Sequence, residues 1–420
     1  LECGRLMNAP IDLNDPKTLL RDDVLDDPDS FYDLLRKEAP VWQIPGQDTF
    51  LISDPNLIKE IVGRTDDFSS NIVSLLHNDG NGCPVALRFS TYRDPSHVFA
   101  TADPPDHTRQ RKLVQPHLSP GAMAELEPAV RAIVDRSLES VLATEQIDIV
   151  STFSDQVPAQ TVCSLLGLPD DDVAQVLHFT FATGMLLDGV TDLEGMAQGA
   201  AAALELGAFV QTRFDGELAK APEDRSGLLG VFAGMFEAGE VTMTEVGSML
   251  LVFVTAGSET TASLMATAIE TLAEDQELQE RLRRDPSGIP DAIEMFLREN
   301  GPFQFHYRYV PADTMIGGVA IPAESCVMLM WAAANRPAPG VKEQETAEEE
   351  EQRLAPHFAF GRGIHFCIGA PVARMETRIA LEQLLASTKS FRLDPANPMT
   401  RRPSIFIRRH GTLPLLIEKT

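Results

Sequence analysis

Apolar and polar residues change rhythm several times along the chain, and each change predicts an element. Val41 to Ile44 and Phe50 to Ser53 form two short apolar runs around Pro45-Gly46, the pattern of two strands joined by a turn. From Pro55 to Val62 the spacing turns helical. Asn71 to Ala100, with Asn78, Gly80, Asn81, Gly82 and Pro84, predicts a long irregular loop. Helical segments follow from about His107 to Leu282, with breaks at Pro116 to Pro120, Pro158, Pro169 and Pro222. The clearest helix opens near Thr242 and continues past Glu270. Its centre, Met249 to Val254, is apolar on every side and predicts burial all round. Beyond Arg298 the alternation over Asp313 to Leu329, punctuated by Gly317-Gly318 and Pro322, predicts a small sheet. After Pro371 a helix is expected to about Ser387, then turns and short strands. No internal repeat and no linker divides the chain, so residues 1–420 are expected to form one domain, mainly α with small β-sheets.

Composition narrows the function classes. Against 62 Asp and Glu stand 35 Lys and Arg, a formal charge of −27, which argues against a nucleic-acid partner. The five cysteines, Cys3, Cys83, Cys163, Cys326 and Cys367, are scattered and do not form a disulfide framework, as suits a reducing compartment. The longest all-apolar run, Met249 to Val254, is too short to span a bilayer. Leu1 to Leu6, ahead of Met7, lack the apolar run of a secretory leader and are expected to be an expression remnant. The expectation is a cytoplasmic protein with no membrane association.

Three segments carry candidate chemistry. In Phe360-Gly361-Arg362-Gly363-Ile364-His365-Phe366-Cys367-Ile368-Gly369, two glycines permit a tight loop before the cysteine. A third lets a flat ligand approach the backbone. A thiolate at a helix start gains from the helix dipole and from free N–H donors. A buried structural cysteine and a zinc site using His365 with Cys367 are the alternatives, although zinc wants four ligands at recognisable spacing. In the long apolar helix, Ala256-Gly257-Ser258-Glu259-Thr260-Thr261 places a glycine, hydroxyls and a carboxylate where each is costly. Such a defect marks either a functional site, with a possible opening of the helical ladder, or a helix edge facing water. In Asp103-Pro104-Pro105-Asp106-His107-Thr108-Arg109-Gln110-Arg111, His107 and Arg111 stand four apart on one helix face, where they suit a carboxylate or simply decorate a surface.

The cysteine segment resembles the haem-binding signature of the cytochrome P-450 family, Phe-Gly-x-Gly-x-His-x-Cys-x-Gly, followed here by Ala370, Ala373-Arg374 and Glu376. The similarity extends from the strands near Trp42 to Leu413-Pro414. It implies a triangular helical prism around a buried haem b, with Cys367 as the axial thiolate and Phe360 and Gly369 beside it. Ala256-Gly257-x-Glu259-Thr260-Thr261 matches the family's distal-helix motif. By that match Thr260 hydrogen-bonds the iron-bound oxygen, Glu259 feeds protons from solvent, and Ala256 and Gly257 leave room above the iron. His107, Arg111, Arg308 and His365 match the family's haem-propionate contacts. Val252, Thr255, Ala256, Phe303 and Ile405 match positions on an apolar substrate pocket.

Two departures stand out. The family's Glu-x-x-Arg pair is represented only by Arg298, because Met295 occupies the glutamate position; Glu294, or a carboxylate of the Glu343 to Glu351 run, is the expected replacement partner. That glutamate-rich run itself replaces a stretch rich in Pro, Asp and Phe. The resemblance implies a monooxygenase that inserts one atom of O2 into a small apolar substrate. Electrons would come from NAD(P)H through a separate ferredoxin and its reductase, drawn to a basic patch of Arg109, Lys112, Arg362, Arg374 and Arg378. The alternative is a haem-thiolate binding or sensor protein without turnover.

Overall fold

The computed structural model describes residues 10–336 and 356–419. The glutamate-rich run and the first six residues lie outside them. Helices dominate. The longest, Met243–Glu274, is the central helix, and its start is written in sequence. Thr242 is the N-cap, its hydroxyl accepting from the Glu245 N–H at 3.2 Å while the Glu245 carboxylate accepts from the Thr242 N–H at 2.8 Å. This reciprocal arrangement satisfies two donors that a helix end otherwise leaves bare. Gln156–Leu166, Val173–Gly184, Leu193–Leu218 and Gly227–Glu237 pack against the central helix, and Pro120–Val141 packs on Gln156–Leu166 and on the cysteine helix, Ala370–Ser387. Ile289–Asn300 and the cysteine helix complete the bundle. By length and mean hydropathy the central helix could cross a bilayer, but 61% of its most apolar window is buried against its neighbours. Its apolarity serves packing.

The hydroxyls inside this helix do not open it. Thr255, Ser258 and Thr260 each donate to the carbonyl four residues earlier, at 3.0, 3.3 and 2.9 Å, and the helix runs on unbroken. Pro158 is not a break either. It is the third residue of Gln156–Leu166, where no intrahelical N–H donor is needed.

A second, smaller core lies over the four-stranded sheet, whose order is Val41–Gln43, Thr49–Ile52, Cys326–Leu329 and His306–Tyr309. The middle pair is parallel and the outer pairs are antiparallel. The Pro45-Gly46 turn joins the first two strands, with Gly46 at φ +76°. Asn71 to Ala100 departs from the expected loop, because Ser74–Asn78 and Pro84–Arg88 pair as an antiparallel hairpin over five positions. The residues that read as loop punctuation form its tip. Gly80 and Gly82 take φ of +84° and +86°, and the Asn78 side chain accepts from both their N–H groups, at 2.9 and 3.1 Å. Of the segment Asp313 to Leu329, Thr314–Ile316 and Val319–Ile321 form their own hairpin, while Cys326–Leu329 joins the four-stranded sheet.

Candidate active site

The cysteine loop is shaped by its glycines. Gly361 and Gly363 take φ of +67° and +76°, and a side chain on Gly363 would press on the Val62 carbonyl at 3.3 Å. A single 3-10 turn over Gly363–His365 follows, and the Cys367 N–H closes the loop on the Phe360 carbonyl at 2.9 Å. The cysteine helix begins at Ala370 with Gly369 as its N-cap. Burial pushes the Cys367 thiol up, while the N–H groups of Gly369 and Ala370 and the charges of Arg111 and Arg374 pull it down. Those are the fields that stabilise a thiolate.

The sulfur faces a cavity of about 240 Å³. Arg111, Val252, Ala256, Gly257, Thr260, Phe303, Arg308, Phe360, His365, Cys367 and Gly369 all line it, drawn from four separate elements and the loops between them. Val252, Ala256 and Thr260 follow one another at intervals of four, a single row on the central helix. His107 stands behind the wall, its ring 4.3 Å from that of His365. On one side of the cavity Arg111, Arg308, His107 and His365 converge, with Asp103 acting on Arg308 and His107 from a distance. His365 is held down at about 2, by burial first and then by Arg308, His107, Arg111 and His306. Neither of its ring nitrogens has a hydrogen-bond partner, and His107 has only the Ile364 carbonyl nearby. Buried polar atoms in that state mark a place built for an anion. A sulfur donor beside such a cluster fits haem, whose iron takes the thiolate and whose two propionates take the cations. Among the described residues no three His, Cys, Asp or Glu side chains gather as a metal-ligand set, so a zinc site has no ligands there.

Two expectations require correction. Thr255 is not on the cavity wall; it lies one residue, about 100°, off the Val252–Ala256–Thr260 row and bonds the Leu251 carbonyl. Ile405 is also away from it. Its N–H donates to the Asp188 carbonyl at 2.8 Å, which turns the side chain onto Gly189 and into the smaller core. Glu259 is mostly buried, its side chain 16% exposed, which tells against the alternative of a helix edge facing water. Arg409 reaches it at 3.2 Å and holds Asp155 with two bonds of 2.9 Å. Burial raises Glu259, and Arg409 opposes that rise. Gly257, besides lining the cavity, allows close helix approach, since a Cβ there would lie 2.8 Å from a Val162 methyl.

Glu294 pairs with Arg374, at 2.6 and 2.8 Å, and with His357 at 3.1 Å. It therefore ties the Arg298 helix to the cysteine helix, and its charge also favours the Arg298 guanidinium, while the Glu343 to Glu351 alternative lies outside the described residues. In the basic patch Arg109 binds Glu245, and Arg378 binds Glu127 and Glu382 at 2.9 Å each. Lys112 and Arg362 remain exposed.

Sequence reasoning missed His306 and Trp331, both on the cavity wall. A signal for His306 existed: in a strand, residues two apart share a face, so His306 belongs with Arg308.

A family model described as Cytochrome P450 matches residues 293–405. "Cytochrome P450 144" of Mycobacterium tuberculosis is 31% identical over 404 residues, covering 96% of this chain and 92% of the relative. "Vitamin D(3) 25-hydroxylase" of Pseudonocardia autotrophica is 32% identical over 324 residues, covering 76% and 78%. Among solved structures, CYP109E1 from Bacillus megaterium in complex with testosterone superposes with a TM-score of 0.79 at 25% identity, over 94% of this chain and 98% of that one. CalO2 gives 0.80 at 24% identity, over 96% and 98%, and speaks for the fold. The cysteine loop, the central helix and near full-length similarity to these proteins lead to one conclusion: the chain belongs to the cytochrome P450 family, whose members are monooxygenases.

Proposed function

We propose that this enzyme inserts one oxygen atom from O2 into a predominantly apolar, ring-sized organic molecule, with NAD(P)H electrons delivered by a separate ferredoxin and reductase. The observation that carries this reading is that Cys367 and the Ala256-Gly257-Thr260 row face the same cavity. When bound there, haem supplies an iron that activates O2 toward C–H insertion. Cys367 would hold it by sulfur, and Arg111, Arg308 and His365, backed by His107, would hold its propionates. Phe303, Val252, Ala256 and the neighbouring Phe99, Leu118 and Leu297 offer an apolar surface that excludes water and keeps the substrate close.

Thr260 and Glu259 handle protons. The Thr260 hydroxyl, on the cavity wall, presents an O–H that can turn from the Ala256 carbonyl toward the cavity and hold a proton there. Glu259, next to it in sequence, reloads that hydroxyl after letting go of Arg409. Arg409 is thus the group that keeps the acid in place between turnovers. The enzymatic family membership sets aside the sensor alternative.

The names of the similar proteins set the first ligands to try, vitamin D3 and testosterone, alongside terpenes and fatty acids. Soret shifts on titration report which molecules enter. Product formation with NAD(P)H, ferredoxin and reductase then tests turnover. Haem-loaded protein that gives no thiolate-type carbon monoxide spectrum, or whose spectrum survives Cys367→Ser, would overturn the reading.

A further inference from the structure

The strand His306–Tyr309 sends alternate residues to opposite faces. Tyr307 joins Phe305 in the smaller core, whereas His306 and Arg308 line the cavity. The Trp331 indole N–H donates to Nδ1 of His306 at 2.7 Å. An indole nitrogen can only donate, so Nδ1 is the lone-pair nitrogen and the neutral ring carries its proton on Nε2. Phe303, at 4.7 Å between ring centroids, and Phe406, at 6.0 Å, hold the ring, and a flip would break the bond to Trp331. Burial, and then the charge of Arg308, hold His306 down at about 3, so it does not become another cation. Among the described residues Nε2 has no protein partner, yet it is not sealed from the cavity.

We propose that His306 is a binding residue, fixed by Trp331 as a permanent Nε2–H donor that takes an acceptor oxygen in the occupant of the cavity. The inference rests on the haem reading of that cavity. The acceptor has two possible sources with one chemistry: a haem propionate beside Arg308, or a carbonyl, carboxylate or hydroxyl oxygen of the substrate. A purely hydrocarbon substrate face would leave this donor unsatisfied, and a polar site rejects a partner that cannot complete its bond.

The test compares the parent enzyme with His306→Phe, which keeps a ring and removes the donor, and Trp331→Phe, which keeps the packing and frees the tautomer. All three are loaded with haem and checked by the reduced carbon monoxide spectrum. Haem transfer to excess apomyoglobin and Soret titrations with the matched pair cyclododecanone and cyclododecane are then measured. If the acceptor is a propionate, His306→Phe releases haem about tenfold faster, the size of one buried hydrogen bond. If it is a substrate oxygen, release is unchanged and the preference for the ketone over the hydrocarbon falls by about the same factor. Nitrogen-15 histidine spectra of the ferrous carbon monoxide form should show the Nε2–H tautomer for His306, and mixed tautomers in Trp331→Phe. An Nδ1–H tautomer in the parent, or unchanged release together with unchanged preference, overturns the inference. Loss of the thiolate spectrum in the parent would instead remove the haem reading beneath it.

Discussion

The Arg409 side chain is 4% exposed and shares its guanidinium between Asp155 and Glu259. The Phe181 ring covers it, 3.8 Å from the guanidinium carbon to the ring centroid. Burial pushes both carboxyls above their ordinary values of 3.8 and 4.5, and Arg409 opposes this. A carboxyl with a higher pKa in the fold keeps its proton after the unfolded chain has lost it. Stability therefore declines as pH rises through the interval between the two values. Arg409→Met removes the opposing charge, raises both carboxyls further and widens that interval. The variant is expected to lose about 3 kcal/mol near neutral pH and less near about pH 5. Melting temperatures at the two pH values decide it; an equal loss at both would refute the account. This ion pair was not legible in sequence, because Asp155 and Arg409 lie 254 positions apart and neither belongs to a local motif. Cys367, His365, Arg111 and Arg308, which the family resemblance singled out in the sequence, all line the cavity. Thr255 and Ile405 were misplaced because family position does not carry helix phase or the local backbone bond to Asp188.

At the scale of elements, the central helix is held to the Asp106–Val114 helix by one side chain. The Glu245 carboxylate caps its own helix at Thr242 and also accepts from Gln110 at 2.8 Å and from Arg109. Burial alone would raise its pKa, but the Thr242 N–H, Gln110 and Arg109 together bring it to about 2. The stability it contributes is therefore present above the ordinary value of 4.5 and disappears as pH falls toward 2. Glu245→Ala is expected to cost about 2 kcal/mol at neutral pH, more than an ordinary cap because two further donors lose their acceptor. Denaturation at neutral pH and at about pH 3 should show the difference narrowing on acidification. Because the tethered helix carries His107 and Arg111, the same variant should also shed haem faster. The helix start was readable at Thr242, but the second role of Glu245 depends on a neighbour 135 positions away. Gly257 makes a companion case. Gly257→Ala gains about 1 kcal/mol of helix propensity but drives a methyl against Val162, so a net loss of about 1 kcal/mol is expected. Combining it with Val162→Ala should cancel most of the clash, and a strictly additive double variant would count against direct contact. The hairpin at Ser74–Asn78 and Pro84–Arg88 escaped the sequence reading for the opposite reason: its turn residues were so dense that they masked two short strands.

At the scale of the whole molecule, the electron delivery proposed above asks a chain of charge −27 to dock a redox partner near the Cys367 loop, where Arg362, Ile364 and Phe366 are exposed. An acidic ferredoxin would be repelled by most of such a surface, so docking depends on the local field. Composition and spacing placed five basic residues there, but the structure removes three of them from that role, since Arg109, Arg374 and Arg378 face carboxylates of this same chain. What is left is Lys112, exposed beside Arg111, and Arg362, exposed and lying over the Phe358 ring at 5.8 Å. Around them Ile364 is 39% and Phe366 42% exposed, and Arg111 anchors the Phe366 carbonyl at 2.7 Å. Two apolar side chains with two exposed cations that have no salt bridge among the described residues make a small contact suited to brief encounters. Reversing Arg109 would confuse docking with the loss of its bond to Glu245, so the informative variants are Lys112→Glu and Arg362→Glu. Each is expected to slow ferredoxin-driven reduction about threefold or more at low salt, with the gap closing as salt screens the approach. Reduction by dithionite, which does not dock, should be unchanged. A slowing that persists at high salt would mean that contact within the complex, rather than steering, is what these residues provide, and equal rates at low salt would move the docking face elsewhere.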